Sequence, residues 1–433
     1  MTEEIVVFCA SGDSFINRRL SKENVHVNKL SEIINTADVK MTNLETTIED
    51  KDNFPSALSG GTWAKSSHKV LKDLKKLGFN LISWANNHTM DYSYNGLIST
   101  YNYLEQYDFV HAGAGINLFD ASKAKYLEVH NARIALISFT STFHNYMIAG
   151  EQSSTTKGRP GINPLRVSIH YNLTKDKINQ LKNIEKELNI NGFYEEGVKL
   201  GLLHKIPEEY TPFSKLLFRE SEFTEKVYTI NKEDKERIIN SIKEAKQQSD
   251  YVILSIHNHE SNGISLDSPP CYIKKFAKEC IDNGADIIVG HGPHVIRGIE
   301  IYQGKPIFYS LGNFIFQTDT VDTLPPEYFQ KLGLKNVSSV SEAMNKKTNN
   351  GKMGFDGYQE AWQSILPIWK MKDGKLIELS LYPLELGYGK KRQEKGTPRI
   401  TDNNEVLKRL ISLSKDFGTC IEIENNIAKV KID

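Results

Sequence analysis

Three features of this 433-residue sequence predict an α/β (α+β) fold. Short β-branched or apolar runs recur along the chain, and each stops in a polar loop. Several runs are followed by stretches with helical apolar spacing, so strand, loop and helix alternate as in layered α/β cores. The loops at the strand ends hold Asp, Glu, Asn and His, where α/β proteins place ligands at the carboxyl edge of a sheet. The chain is longer than an average domain yet suits one decorated core, and its 39% hydrophobic and 25% charged residues are ordinary for a globular protein.

Taken in order, Ile5 to Ala10 is the first strand and runs into Ser11-Gly12-Asp13-Ser14, where the glycine permits a tight turn. Asp38 to Met41 is the second, followed at once by Asn43-Leu44-Glu45. Alternation puts Asn43 and Glu45 on one side and Leu44 on the other. Lys69 to Leu77 carries Val70, Leu71, Leu74 and Leu77 at helical spacing and stops at Gly78, a C-cap. Phe79 to Trp84 is the third strand and opens into Asn86-Asn87-His88 and Asp91, before a helix from Tyr94 to Tyr107. Phe109 to Gly115 is a short strand with a Gly-rich turn, and Lys125 to His130 with Arg133 to Phe139 forms a hairpin.

Beyond Thr140 the signals weaken. The polar, Lys- and Glu-rich stretch of about 141–231, helical near Asn172 to Leu188, reads as an insertion on the core, a lid or specificity wall. Lys232 to Gln248 is a charged helix, and Tyr251 to Ile256 is a buried strand that delivers His257-Asn258-His259-Glu260. Ile287 to Val289 is another, ending at Gly290 and releasing His291 and His294 about Gly292-Pro293. Two runs flank a Gln303-Gly304 turn, the second ending in Ser310-Leu311-Gly312-Asn313. Residues 1–320 are thus the core, and 321–433 complete the same domain. The polar excursion from Thr318 to Gly351 reads as mobile, before a hairpin about Lys372-Asp373-Gly374, a helix from Glu405 to Leu413 and two short closing strands.

Asp13, Glu45, Asn87, His88, His257, His259, His291 and His294 each follow an apolar run. Carboxylate, carboxamide and imidazole together suit Mn²⁺, Fe²⁺ or Zn²⁺, and a carboxylate can bridge two such cations and offset their repulsion. His88 is aimed away from Asn87, so it is a candidate proton donor, with Asp91 orienting its ring. The competing structural reading makes His88 and Asp91 caps of the helix near Tyr94. Asn43, Glu260 and Asn313, on the same loops, are candidate substrate contacts.

The stretches Gly12-Asp13, Asn43-Leu44-Glu45, Asn86-Asn87-His88 with Asp91, Gly290-His291-Gly292-Pro293-His294 and Ser310-Leu311-Gly312-Asn313, with a late Gly396-Thr397-Pro398-Arg399, carry a resemblance. The sequence resembles the bacterial capsule-synthesis family associated with poly-γ-glutamate (CapA-like), within the calcineurin-like metallophosphoesterase superfamily. The resemblance implies a metallophosphoesterase-like core of two packed mixed β-sheets flanked by helices, with the motif loops at one edge. It also implies two divalent metal ions held by Asp13, Glu45, Asn87, His257, His291 and His294, with His88 as the acid. The chain departs from the superfamily pattern in its first motif, where Ser14-Phe15 replaces the second half of Asp-x-His, and in its last, which has one residue more. His-Asn-His-Glu stands where many family members have His-Trp-Gly, so His259 is a candidate replacement ligand, or Glu260 takes a site role of its own.

Lys plus Arg and Asp plus Glu both number 54, which gives no support to a nucleic-acid partner or an acidic membrane surface. The acidic N-terminus and its short apolar run do not read as a signal peptide, no stretch is long enough to cross a bilayer, and the four cysteines lack zinc-ribbon spacing. A cytoplasmic location is the expectation. The function so bounded is a metal-dependent hydrolase acting on a phosphoester or γ-glutamyl-type amide of a small or oligomeric anionic substrate. The alternative is a non-catalytic accessory protein that binds polymer or a synthase partner. Whether the chain forms a homo-oligomer is open.

Overall fold

The β-branched runs assemble into two sheets in a computed structural model that describes residues 5–21, 23–51, 53–335 and 338–432. Two compact units result, one of Met1–Pro164 with Glu236–Asp433 and one of Leu165–Lys235. Among the described residues of the first unit, the larger sheet has ten strands. Its centre is Val6–Phe15, parallel to Val39–Leu44 and antiparallel to Gln363–Lys372. Leu81–Ser83 and Val110–Ala112 extend the parallel side, and the Lys375–Glu385 strand with the C-terminal hairpin extends the other. The smaller sheet, of six strands, centres on Ala132–Thr140, Tyr251–His257 and Ile287–His291, all parallel, with antiparallel strands at both edges.

The inner faces of both sheets form one core, in which Phe8, Met41 and Trp369 of the larger sheet join Leu136, Ile253 and Val289 of the smaller. Phe8 stacks on Trp369 at 5.5 Å and meets the edge of Tyr251 at 5.3 Å. Outside the larger sheet, helices Val25–Ile34, Lys69–Leu77 and Ser93–Gln106 bury Leu30, Leu74 and Leu97 against Cys9, Ile82 and Leu366. Lys69–Leu77 ends where the sequence predicts, at Gly78 with φ 109°. Helix Cys271–Asp282 covers the other sheet, with Phe276 edge-on to Phe139 at 5.9 Å. The predicted α/β architecture, two packed mixed sheets flanked by helices, is the one observed.

The first strand extends past its predicted end at Ala10 to Phe15 because it changes neighbours. Val6 to Cys9 pair with Gln363–Lys372, whereas Asp13 to Phe15 pair with Asn313–Phe316, and the register slips on both sides of Asp13. Such a bulge re-aims a side chain, here the Asp13 carboxylate. Gly12 makes the change possible, since a Cβ there would lie 1.9 Å from the Gly312 carbonyl oxygen. Gly12→Ala is therefore expected to cost roughly 3 kcal/mol or to abolish folding, read as a fall in the thermal midpoint.

Two expectations need correction at the level of elements. The stretch expected to be helical holds a four-stranded sheet as well, with Val167–Leu173 between Leu216–Glu220 and Glu225–Ile230, alongside helices Lys175–Leu188 and Gly192–Lys199. Residues 141–164 belong to the other unit. The excursion after Thr318, expected to be loose, folds into helices Pro326–Lys331 and Val340–Lys347, the latter with a Ser339/Glu342 capping box. These helices bury Tyr328, Phe329, Ala343 and Met344 in a cluster with Trp63, Tyr92, Phe316 and Trp362.

Candidate metal centre

Neighbouring strands of both sheets end at one edge, and their terminal residues converge. Asp13 is fixed by two donors: Asn43 Nδ2 to Oδ1 at 2.7 Å and the Gly292 N–H to Oδ2 at 3.0 Å. The second contact needs a glycine, because Gly292 has φ 113° and a Cβ there would lie 2.8 Å from the Asn258 nitrogen. His291 and His257 present Nδ1 at 3.5 and 3.8 Å from Asp13 Oδ1, and His294 presents its own at 3.9 Å from Oδ2.

Glu45 lies opposite, its Oε1 3.6 Å from His257 Nε2, 3.9 Å from His294 Nε2 and 4.0 Å from His259 Nε2. Asp13, Glu45 and His294 thus form one group, and Glu45, His257 and His259 a second, with ligand atoms in each within 4.8 Å of one another. Glu45 is common to both. Asn87 Oδ1 joins the second group, 2.7 Å from His257 Nε2 and 3.2 Å from His259 Nε2.

The residues fit divalent cations on physical grounds. Among the described residues, neither oxygen of buried Glu45 and neither ring nitrogen of buried His291 has a hydrogen-bond partner. Orphaned buried polar atoms cost several kcal/mol unless a ligand satisfies them. His294 is also prepared: the amide nitrogen of Asn313 donates to the carbonyls of Ala361 and His294, so its Oδ1 accepts from His294 Nδ1 at 2.8 Å. That bond keeps the proton on Nδ1 and leaves the Nε2 lone pair facing Glu45. His294 holds a left-handed backbone, φ 59°, which a non-glycine residue adopts only under constraint.

Burial raises Asp13 to about 7 against the Gly292 and Asn43 donors, and lifts Glu45 well above the carboxylate range with help from Asp13 and Asp91. Burial also presses His291 to about 3 and His294 to about 4, and holds His257 and His259 well below 6.5. Without cations the cluster is driven toward neutral acids and neutral imidazoles, and bound cations would restore the carboxylates.

His88 stands beside this cluster. Its Nδ1 is 2.7 Å from Asp91 Oδ2, which also accepts from the Ala64 N–H at 2.7 Å, and Phe15 meets its ring edge-on at 5.2 Å. The capping alternative is not realised: the N-cap of helix Ser93–Gln106 is Tyr92, which makes no side-chain cap bond, and the Ser93 N–H donates to Ser56 Oγ at 2.9 Å. Asn43 is spent within the protein, accepting from Ser83 and Asn86 at 3.3 Å besides holding Asp13. Glu260 Oε2 accepts from Ser141 and Thr142 at 3.0 and 3.1 Å and from Asn258, so it sits in a polar network beside the cluster. His259 joins the His257 group, while Phe15, two residues after Asp13, turns its ring to His88.

Sequence reasoning did not assign Asn86, whose Nδ2 donates to the Leu44 carbonyl at 2.8 Å and ties two motif loops together. Nor did it find Phe355, whose ring lies 4.9 Å from that of His294. A cleft of about 630 Å³ adjoins there, lined by Phe316, Phe355, Lys347 and Lys352 among others. The Asn86-Asn87 pair was a signal for the first; nothing in the stretch around Phe355 signalled the second.

An α/β two-sheet core with carboxylates and imidazoles converging at one edge is the class that fold and site define. The chain belongs to the family described as bacterial capsule synthesis protein PGA_cap, whose sequence profile matches residues 7–318. It is 31% identical to the uncharacterized protein y4sH of Sinorhizobium fredii (strain NBRC 101917 / NGR234), over 98% of this chain and 92% of that one. It is 27% identical to the PGA biosynthesis protein CapA of Bacillus subtilis (strain 168), over 72% of this chain and 64% of the longer protein. A Staphylococcus aureus crystal structure described as a candidate 5'-nucleotidase, in complex with alpha-ketoglutarate, aligns at TM-score 0.35 and 12% identity. That alignment covers 70% of this chain and 48% of the other, a likeness too low to support an inference. Among the described residues no helix is long and apolar enough to cross a membrane.

Proposed function

We propose that this protein is a metal-dependent hydrolase holding two divalent transition-metal ions, acting on a phosphoester or γ-glutamyl-type amide of an anionic substrate in poly-γ-glutamate (capsule) metabolism. The observation that carries the proposal is Glu45, buried, unpartnered at both oxygens and shared by two ligand groups. Asp13 and His294 would hold one ion and His257, His259 and Asn87 the other, with Glu45 between and His291 beside Asp13. When bound, such ions polarise the scissile group's oxygen and make a bound water acidic. Asp91 orients His88 so that Nε2 is the atom that gives a proton to the leaving group. Asn43 and Asn313 are positioning residues in this reading, and Lys347 and Lys352 line the cleft that receives an anionic substrate. A link to capsule polymer rests on the family and on the printed name of the Bacillus relative.

The accessory reading is favoured by the first motif, where Phe15 stands in place of the histidine that the resemblance implies. Metal uptake discriminates. Protein purified without chelator is expected to carry about one to two ions per chain by elemental analysis. No metal after incubation with Mn²⁺ or Zn²⁺ sinks the hydrolase reading. The pH dependence follows from the site. With Asp13 raised to about 7 and His291 and His294 lowered to about 3 and 4, the metal-free cluster at pH 6 has protonated carboxyls and neutral imidazoles. Cation uptake at that pH should release roughly one to two protons, all from carboxyls, and affinity should climb as pH rises toward about 7. Calorimetry in two buffers of different ionisation heat measures the release.

A further inference from the structure

A second cleft, of about 310 Å³, lies beyond the end of the first strand. The Asn17 and Arg18 N–H groups both donate to Gln317 Oε1 at 2.9 Å, fixing the bend that turns Arg18 into it. Arg18 is the unusual group. Its Nη2 donates to the Lys395 carbonyl at 2.9 Å, its Nε is buried without an acceptor, and no carboxylate pairs with it among the described residues. A guanidinium drawn out of water without a counter-charge is costly, and an anion from solution removes that cost. Arg19, Lys390 and Arg399 line the same cleft, with Glu394 the acid among its lining residues. Arg19 is held by both oxygens of Asp73 at 2.7 Å and Arg399 by Glu385 at 3.2 Å, whereas Arg18 and Lys390 have no carboxylate partner among the described residues. The nearby helix Val25–Ile34 has no acidic side chain in its first turn.

The wall is the loop carrying Gly396-Thr397-Pro398-Arg399, a motif that the metal centre does not use. Gly396 has φ 81°, and a Cβ there would lie 2.2 Å from the Phe316 carbonyl oxygen, so this glycine lets the loop close on the strand Asn313–Phe316. Lys395 separates the two clefts. Its carbonyl accepts from Arg18 on one side, while its Nζ bridges Asp319 at 2.6 Å and Asp356 at 2.8 Å, residues that line the cleft beside His294.

We propose that this second cleft is an oxyanion subsite in which Arg18 and Lys390 take another carboxylate or phosphate group of an extended anionic substrate. The link to a substrate rests on the hydrolase reading; the binding of an oxyanion does not. Isothermal titration of the full chain with sodium pyrophosphate and, separately, with tetra-γ-glutamate tests it, each before and after chelation. Saturable binding of at least one probe should survive chelation, and the probe that binds tells phosphate from carboxylate. Arg18→Gln, folded by far-UV signal, should bind at least about tenfold more weakly and Lys390→Gln a few-fold more weakly. No binding of either probe at millimolar concentration, binding that vanishes entirely with the metal, or unchanged affinity in Arg18→Gln overturns the proposal. If Arg18→Gln does not fold, unchanged affinity in the exposed Lys390→Gln variant overturns it instead. The readout is metal-independent binding, so its failure leaves metal content and turnover untouched, and their failure leaves it untouched.

Discussion

His88→Ala is expected to retain its metal and to lose about 10²–10⁴-fold in turnover of a substrate with a poor leaving group. The ring is held from two sides, by Asp91 Oδ2 at Nδ1 and by the edge contact with Phe15, so Nε2 has little freedom. Proton donation matters in proportion to the basicity of the departing atom. A nitrophenyl ester, whose leaving group is stable as an anion, should therefore lose far less than an alkyl phosphate or an amide. Asp91→Asn is the companion variant: it keeps volume and the Ala64 contact's geometry but removes the charge that orients the imidazole. It should reduce turnover and move the alkaline limb of the pH–rate profile, where the proton donor loses its proton, which a packing role would not do. Equal losses on both substrates, or metal lost from His88→Ala, would make this histidine a ligand or scaffold residue.

The alternation at Asn43-Leu44-Glu45 was legible because a period of two admits one assignment when one face is apolar. Leu44 indeed lies in the helix-side core while Asn43 and Glu45 face the cluster. His257 and His259 met for the same reason, their Nε2 atoms 3.0 Å apart. What escaped was structure whose cause is non-local. The first strand reads as ending at Ala10 because Gly12 and Asp13 look like a turn, whereas Asn313–Phe316, some three hundred residues later, supplies a new partner. The excursion reads as polar because its apolar side chains, Tyr328, Phe329, Ala343 and Met344 among them, are scattered among Lys, Asn, Asp, Ser and Thr. Strands Leu216–Glu220 and Glu225–Ile230 are half-exposed and charge-rich, so neither alternation nor a continuous apolar run marks them.

Glu45→Gln and Leu44→Asp, adjacent substitutions, should fail in opposite ways. Glutamine keeps the volume of Glu45 and removes the charge shared by both ligand groups, so metal content should fall to near zero. The fold should survive, since burial without any hydrogen bond already penalises the carboxylate and a neutral amide is less costly there. Metal-free Glu45→Gln is accordingly expected to melt at or above the midpoint of the metal-free parent. Leu44 is 1% exposed in the cluster between the larger sheet and its helices. Replacing it with aspartate loses about 2–5 kcal/mol of apolar burial and packing and adds several kcal/mol for a carboxyl with no partner. That sum rivals the whole stability of a typical domain, about 5–15 kcal/mol, so Leu44→Asp should be unfolded or insoluble. Far-UV spectra, thermal midpoints and elemental analysis on the two variants decide the matter. Should Glu45→Gln unfold as completely as Leu44→Asp, Glu45 is a structural residue and the shared-carboxylate site is wrong. If it folds and still holds metal at the parent's stoichiometry, the ions are held by the histidines and Asp13 without it.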